Sequence, residues 1–424
     1  MIKILRSYNE NEIFERAVSG FNVSATVTEI VENVRENGDE ALKAYSEKFD
    51  KVKPASFEID PSLMKDAYER IDSEFKSVLD EAASNIREFH AKQKSEGYEI
   101  KRENGVILGR KVLPLNRVAL YVPGGTAAYP SSVLMNCIPA KIAGVNEIIM
   151  TTPPSADGSI RNDILAAAYV AGVDRIFCIG GAQAVAALAY GTETVPMVDK
   201  IVGPGNAFVA EAKRQVYGTV DIDMIAGPSE ILIIADENCY PKTAAADMLS
   251  QAEHDKNATA VLITNSEKLA EETAIELEKQ LSVLPREEIA RASIENNGKI
   301  IITENIDEAI EISNRLAPEH LEINTINAFE LLDKVKNAGS VFLGGNCPEA
   351  VGDYFSGTNH VLPTSGTARF ASALSVDDFI KTIEYTYYSR EAIINDADKI
   401  ALFASREGLD AHARSALVRK ELDK

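Results

Sequence analysis

The sequence predicts an α/β protein built on two doubly wound parallel sheets, with a helical segment before them and a helical tail after. Short apolar runs alternate with stretches of helical periodicity, the pattern of a parallel sheet covered by helices on both faces. The alternation occurs twice, first from Arg117 and again from Ile231, with Gly227-Pro228 between the two runs. At 424 residues the chain is also longer than a single core sustains, since cores stop growing at roughly 250–300 residues.

Residues 1–120 read as a mostly helical segment leading into the first α/β domain. Thr26 to Phe49 has helical apolar spacing, with Gly38 ending a helix. Pro61 to His90 carries one or two more helices, and Glu99 to Pro114 alternates as strands about a turn near Gly105. Residues 121–228 form the second α/β domain. Its rhythm begins with the strand Val118-Ala-Leu-Tyr-Val122, a helix over Ser131 to Ala143 and the strand Glu147-Ile-Ile-Met-Thr151. A helix from Asn162 to Ala171 follows, then Arg175-Ile-Phe-Cys-Ile179 closing on Gly180-Gly181, a helix to Tyr190, and Lys200-Ile-Val202 closing on Gly203-Pro-Gly-Asn206. Residues 229–373 complete the first α/β domain. Strands are expected at Ile231 to Ala235, Ala260 to Thr264, Lys299 to Thr303, His320 to Asn324 and Ser340 to Leu343, with helices over Pro241 to His254 and Glu267 to Leu284. Residues 374–424 read as a polar, helical tail.

Composition narrows the function. With 65 acidic against 44 basic residues the formal net charge is −21, which argues against nucleic acid or an anionic membrane as partner. No apolar run approaches the roughly 18 residues that span a bilayer. The opening Met1-Ile-Lys-Ile-Leu-Arg-Ser7 has neither a long apolar core nor a cleavage site, so a cytoplasmic setting is expected. Cys137, Cys178, Cys239 and Cys347 are far apart and form no C-x-x-C pair. They make neither a disulfide framework nor a thiolate zinc site, and suit a reducing compartment. Any metal must then use nitrogen and oxygen donors.

The histidines point to the chemistry. Of five, His254, His320, His360 and His412 each stand beside an acid, an amide or a glycine turn, while His90 lies in a plain helical context and reads as structural. Neutral imidazole binds zinc and titrates near neutral pH. Gln251 and His254 fall on one helix at i,i+3, about 5–6 Å apart at Cβ, a spacing that can give one ion two ligands or leave two exposed side chains near a helix end. In Gly352-Asp-Tyr-Phe-Ser-Gly-Thr-Asn-His360, two glycines bracket Asp353 in a binding loop or a packed turn. Glu319 and His320 sit side by side where Pro318 stops a helix and a strand begins, placed either for two proton transfers or as ordinary surface. Glu407 and His412, five apart on the tail, need not share a face. Gly180-Gly-Ala-Gln183 and Gly203-Pro-Gly-Asn206 bring backbone N–H groups and a helix start near phosphate, though neither is G-x-G-x-x-G.

Together these motifs resemble the histidinol dehydrogenase family over nearly the whole chain. The most specific strings are Gly203-Pro-Gly-Asn-Ala-Phe-Val209, Asp223-Met-Ile-Ala-Gly-Pro-Ser-Glu230, Leu249-Ser-Gln-Ala-Glu-His254, Ala317-Pro-Glu-His-Leu-Glu322, and Gly352-Asp-Tyr354 through Asn359-His-Val-Leu-Pro-Thr364. The resemblance implies a homodimer of Rossmann-like domains with an exchanged C-terminal region. It implies oxidation of L-histidinol to L-histidine with two NAD+, the last steps of histidine biosynthesis. It implies one zinc per subunit on Gln251, His254 and Asp353, with His412 supplied by the other subunit and substrate nitrogens completing the shell. By the same resemblance Ser229, His320, His360 and Glu407 contact substrate, and Tyr121, Gln183 and Asn206 contact NAD. Glu319 and His320 match the acid–base pair.

The residue types suit that chemistry. Neutral His320 can take the hydroxyl proton. No side chain accepts a hydride, so a cofactor must. Oxidising an aldehyde to an acid needs water to add first, and Glu319 is placed to activate it. Aldehyde oxidation through a thiolate is the rival route, but Cys137 and Cys178 lie in apolar runs and read as buried and inert. Other readings are a relative acting on a different alcohol, a zinc hydrolase without NAD, and a two-lobed binding protein. The match at Ser229, His360 and Glu407 disfavours the first, the glycine turns the second, and the Glu319-His320 pair the third.

Overall fold

Along the strand Arg117–Tyr121, Val118 and Leu120 point into one apolar core while Ala119 and Tyr121 point into another. Glu230–Ala235 behaves the same way, with Ile231 and Ile233 on one side and Leu232 and Ile234 on the other. This is the period-two geometry of a strand buried on both faces. The computed structural model describes residues 2–14, 23–124, 129–155 and 157–422. The chain forms two compact units, one of Met1–Gln93 with Leu115–Phe379 and one of Lys94–Pro114 with Ile380–Lys424.

The first unit holds two parallel sheets. The five-stranded sheet runs in the order Arg175–Cys178, Glu147–Thr152, Arg117–Tyr121, Lys200–Val202, Asp221–Ile222. The chain builds outward from Arg117–Tyr121 in one direction and then in the other. The switch point therefore lies between that strand and Lys200–Val202, where open α/β sheets bind ligands beyond the carboxyl ends. The six-stranded sheet runs Lys3–Leu5, Lys299–Ile302, Thr259–Thr264, Glu230–Ala235, His320–Asn324, Ser340–Leu343. Its own switch point falls between Glu230–Ala235 and His320–Asn324, with His320 opposite Ile231 in register.

The second unit is an antiparallel sheet of Ile380–Tyr387, Ile107–Pro114 and Tyr98–Lys101, in that order, with helices Arg390–Arg406 and Asp410–Leu417. Among the described residues its apolar cluster holds Ala401, Ala404 and Ala413, while Ile100, Ile383, Tyr385, Leu402 and Phe403 stay exposed.

Several expectations need correction. The tail from residue 374, expected to be helical, contains the eight-residue strand Ile380–Tyr387; Ile380-Lys-Thr-Ile-Glu-Tyr-Thr-Tyr387 is rich in β-branched and aromatic residues, which favour strands. Its last two residues lie outside those described. Gly38 does not end its helix but kinks it: Ser24–Tyr45 continues past a φ of +50° there. Arg117–Tyr121 belongs wholly to the five-stranded sheet, so that sheet's segment begins before Tyr121. His254 stands beyond the helix Pro241–Ala252, in the turn that follows. Asp353 lies on a short helix, Glu349–Tyr354, rather than in a loop.

Candidate active site

A cavity of about 340 Å³ is walled by both sheets of the first unit. The five-stranded sheet offers its carboxyl ends: Pro123 follows one strand, and Gly203, Pro204, Gly205 and Asn206 follow its neighbour across the switch point. The six-stranded sheet offers its amino ends. Ser229 precedes Glu230–Ala235, and Glu319 and His320 open the strand beside it.

The chain enters that second wall abruptly. Ala317, at φ +48°, closes the helix Ile306–Leu316, and Pro318 cannot continue it. The parallel register then sets Glu319 beside the backbone of Glu230, whose N–H donates to Glu319 Oε2 at 2.8 Å. His320 Nδ1 lies 3.0 Å from the Glu230 carbonyl. A carbonyl only accepts, so Nδ1 carries hydrogen and Nε2 is the atom left for chemistry. That Nε2 is buried without a hydrogen-bond partner and lies 3.5 Å from Asp353 Oδ1. The ring stacks on Phe342 with centroids 6.1 Å apart. Gly352 makes room for that ring, since a Cβ there would come 2.5 Å from Phe342.

Charge is concentrated here. Burial pushes the Glu319 carboxyl up to about 8, with His320 and the Glu230 N–H only partly opposing it. Burial alone would lower His320, but Glu319, Asp353 and Glu349 outweigh it and raise the imidazole to about 10. The carboxyl cluster thus favours the imidazolium, where a neutral ring was expected. Burial likewise lifts Glu349 to about 7. Asp353 is held below the usual carboxylate range, because His320, with His360 and His254, outweighs its burial. Burial lowers His254 and His360, against the pull of Asp353. His360 Nδ1 donates to the Asp353 carbonyl at 3.0 Å.

Asn206, Ser229, Gln251, His254, Glu319, His320, Asp353 and His360 line this single cavity. Tyr121 and Gln183 do not. Both are buried, and the Tyr121 hydroxyl accepts the Gly181 N–H at 3.0 Å, fixing the Gly180–Gln183 turn. Glu407 and His412 belong to the second unit, where both are exposed. Among the described residues no three His, Cys, Asp or Glu side chains could by themselves hold a metal. The cavity instead offers an amide, an imidazole and a carboxylate from Gln251, His254 and Asp353. Gln251 Oε1 is buried with no hydrogen-bond partner. A buried carbonyl oxygen without a donor is costly, and a cation would satisfy it, so the donor set fits a metal.

Two further side chains at the site carry no signal in the sequence. Glu349 Oε2 lies 3.8 Å from His320 Nδ1, yet in sequence it is an ordinary acid opening a helix after Pro348. Asp223 lines the cavity from within a string whose residues mark the family but not this role. His90 is buried, bonded to Gln93 at 2.6 Å and 3.5 Å from the amide of Asn359, the residue before His360. Cys137 and Cys178 are buried, and burial pushes their thiols to about 12 and about 11. Neither lines the cavity.

A family model described as histidinol dehydrogenase matches residues 15–420. The chain belongs to the histidinol dehydrogenase family. The histidinol dehydrogenase of Clostridium acetobutylicum is 55% identical over 417 residues, covering 98% of this chain and 96% of that one. That of Geobacillus kaustophilus is 55% identical over 395 residues, covering 93% of each. The crystal structure of histidinol dehydrogenase from Elizabethkingia anophelis superposes with a TM-score of 0.94 at 38% identity, covering 99% of this chain and 98% of that one. The α/β architecture with its parallel sheets thus matches that of a histidinol dehydrogenase.

Proposed function

We propose that this chain oxidises L-histidinol to L-histidine through L-histidinaldehyde, passing two hydrides to two NAD+ with one zinc ion per subunit. The observation that carries the proposal is the convergence of the Glu319-His320 pair with Gln251, His254 and Asp353 in a cavity whose other wall is the Gly203–Asn206 turn.

Gln251, His254 and Asp353 would hold the zinc, and it would supply a template for the amine and imidazole of the substrate. In the first step the carbinol carbon gives a hydride to NAD+ while His320 Nε2 takes the hydroxyl proton, leaving aldehyde and NADH. As a base His320 must be neutral. With Asp353 engaged as a ligand, one of the charges that favour its proton would be withdrawn. In the second step Glu319 takes a proton from water as the oxygen adds to the aldehyde carbon. The adduct, its former carbonyl oxygen protonated to give the hydrate, then gives its hydride to a second NAD+ and sheds its two hydroxyl protons to solvent, leaving as the carboxylate. A carboxyl raised to about 8 is a stronger base than an ordinary one. Ser229 and His360 line the substrate's part of the cavity.

Asn206, Tyr121 and Gln183 take the cofactor side, the last two through the turn that Tyr121 anchors. Glu407 and His412 complete the site of a second copy in a homodimer. The sparse core and exposed apolar side chains of the second unit support burial of that unit against another chain. The four free cysteines accord with a reducing cytoplasm.

The test is the NADH yield from limiting L-histidinol, with zinc present and after chelation. Two NADH per histidinol, lost on chelation and restored by zinc, is the expected result. One NADH would remove the aldehyde step from Glu319. No NADH would point to another alcohol.

A further inference from the structure

Behind the Gly203–Asn206 turn lies an ion pair with almost no access to solvent. Lys213 and Asp223 are bonded to each other, with side chains 2% and 1% exposed. Lys213 comes from the helix Ala207–Val216, and Asp223 follows the strand Asp221–Ile222. Each also bonds the same third residue. Lys213 Nζ donates to the Gly203 carbonyl at 3.0 Å, and the Gly203 N–H donates to Asp223 Oδ2 at 2.7 Å. One glycine is thus gripped at both of its backbone polar groups by the two members of one ion pair.

Gly203 also leaves no room for a side chain. Its φ is +112°, and a Cβ there would come 2.2 Å from the Tyr121 carbonyl oxygen. Asp223 extends the grip by accepting the Met224 N–H at 2.6 Å. The pair therefore ties together the two segments that form one wall of the cavity, one beginning at Gly203 and the other at Asp223. None of its hydrogen bonds reaches Gln251, His254 or Asp353. A buried ion pair is a poor source of stability, because desolvation offsets its attraction. Fixing a geometry is the better account of it.

We infer that Lys213 and Asp223 are positioning residues for the nicotinamide dinucleotide. They hold the Gly203–Asn206 turn at the depth from which the cofactor can face a substrate on the opposite wall. The inference rests on the NAD-dependent reaction proposed above. Neither residue belongs to the metal and proton-transfer machinery, so their effect falls on one side of the cavity.

The experiment compares the zinc-loaded full-length enzyme with Lys213→Met/Asp223→Asn, which removes both charges, and with Lys213→Gln, which keeps a donor for Gly203. Thermal unfolding, zinc content, steady-state kinetics and calorimetric titration with NADH are read on each. The double variant should fold, with KM for NAD+ and Kd for NADH raised about tenfold or more and KM for L-histidinol changed less than about threefold. Lys213→Gln should recover part of the loss. Equal losses for both substrates, or an unchanged NAD+ KM, would overturn the inference. So would failure of both variants to fold, which would make the pair a requirement of the fold alone. A wild-type chain that binds NADH but makes none from L-histidinol would refute the proposed reaction instead, and the titrations would still judge the pair.

Discussion

Ser250 Oγ and Glu349 Oε1 are 2.5 Å apart, joining the helix that carries Gln251 to the helix that carries Asp353. The other oxygen of the same carboxyl stands 3.8 Å from His320 Nδ1. One side chain that the sequence does not single out thus links two of the proposed metal donors to the proposed base.

Glu349→Gln keeps the size and a hydrogen-bonding group at Ser250 but removes a negative charge facing His320. Since Glu319, Asp353 and Glu349 together hold that imidazole up, the variant should lower its proton affinity. The acidic limb of kcat/KM for L-histidinol should move to lower pH, because the neutral base is reached sooner. A limb that stays put or moves upward would show that Glu349 does not act on His320.

Glu319→Gln separates the two oxidations. The amide oxygen can still accept the Glu230 N–H, but it cannot take a proton from water. Oxidation of supplied L-histidinaldehyde should fall by about 10²–10⁴-fold, the usual contribution of a general base, with much less effect on the first hydride transfer. Single-turnover NADH yields near one per histidinol would bear this out. Equal loss of both steps would not.

The buried carboxyl of Glu319 also makes stability depend on pH. Its proton is held to about 8 in the folded chain against 4.5 for an ordinary glutamate. Between those values the folded state binds more protons than the unfolded state, so its contribution is complete below about 4.5 and is lost as pH rises through about 8. His320, raised from 6.5 to about 10, acts with the same sign at higher pH. The unfolding temperature of the chelated protein should therefore fall from pH 6 to pH 9, and Glu319→Gln should flatten that slope. A rising temperature over this range would contradict it.

Gln251→Ala removes the buried oxygen that lacks a partner. Zinc affinity, measured by competition with a chelator, should drop more than about tenfold, since even supporting groups around a metal cost 10–100-fold. Unchanged affinity would take Gln251 out of the donor set.

Gly203→Ala tests the backbone at the turn. A side chain at φ +112°, with its Cβ 2.2 Å from the Tyr121 carbonyl oxygen, should destabilise the chain by about 1–3 kcal/mol or more, read by urea unfolding. A change below about 0.5 kcal/mol, the range of an ordinary surface substitution, would show that the turn yields easily.

Much of this was legible in the residues. Both parallel sheets announce themselves through apolar strands that alternate with helices, and Glu319-His320 stands out because Pro318 leaves it at a strand entrance. Other features have no local signature. Ile380–Tyr387 was absorbed into a tail whose other elements are helices, and its partner strand Ile107–Pro114 is distant in sequence. Lys213 looks like any cation in the last turn of a helix, where the dipole favours it. Its burial depends on Asp223 and Gly203, which only the folded chain brings to it.

The two sheets meet the cavity by opposite ends. The carboxyl edge of the six-stranded sheet, where Tyr240 and Ile326 are 75% and 84% exposed, therefore lies at the far end from the strand starts that line the cavity. It offers a rigid anchoring place for a reporter dye or a surface tether, set at the other end of the strands that enter the cavity at Ser229 and His320. Attachment there would leave the strand starts at Glu230 and His320 untouched.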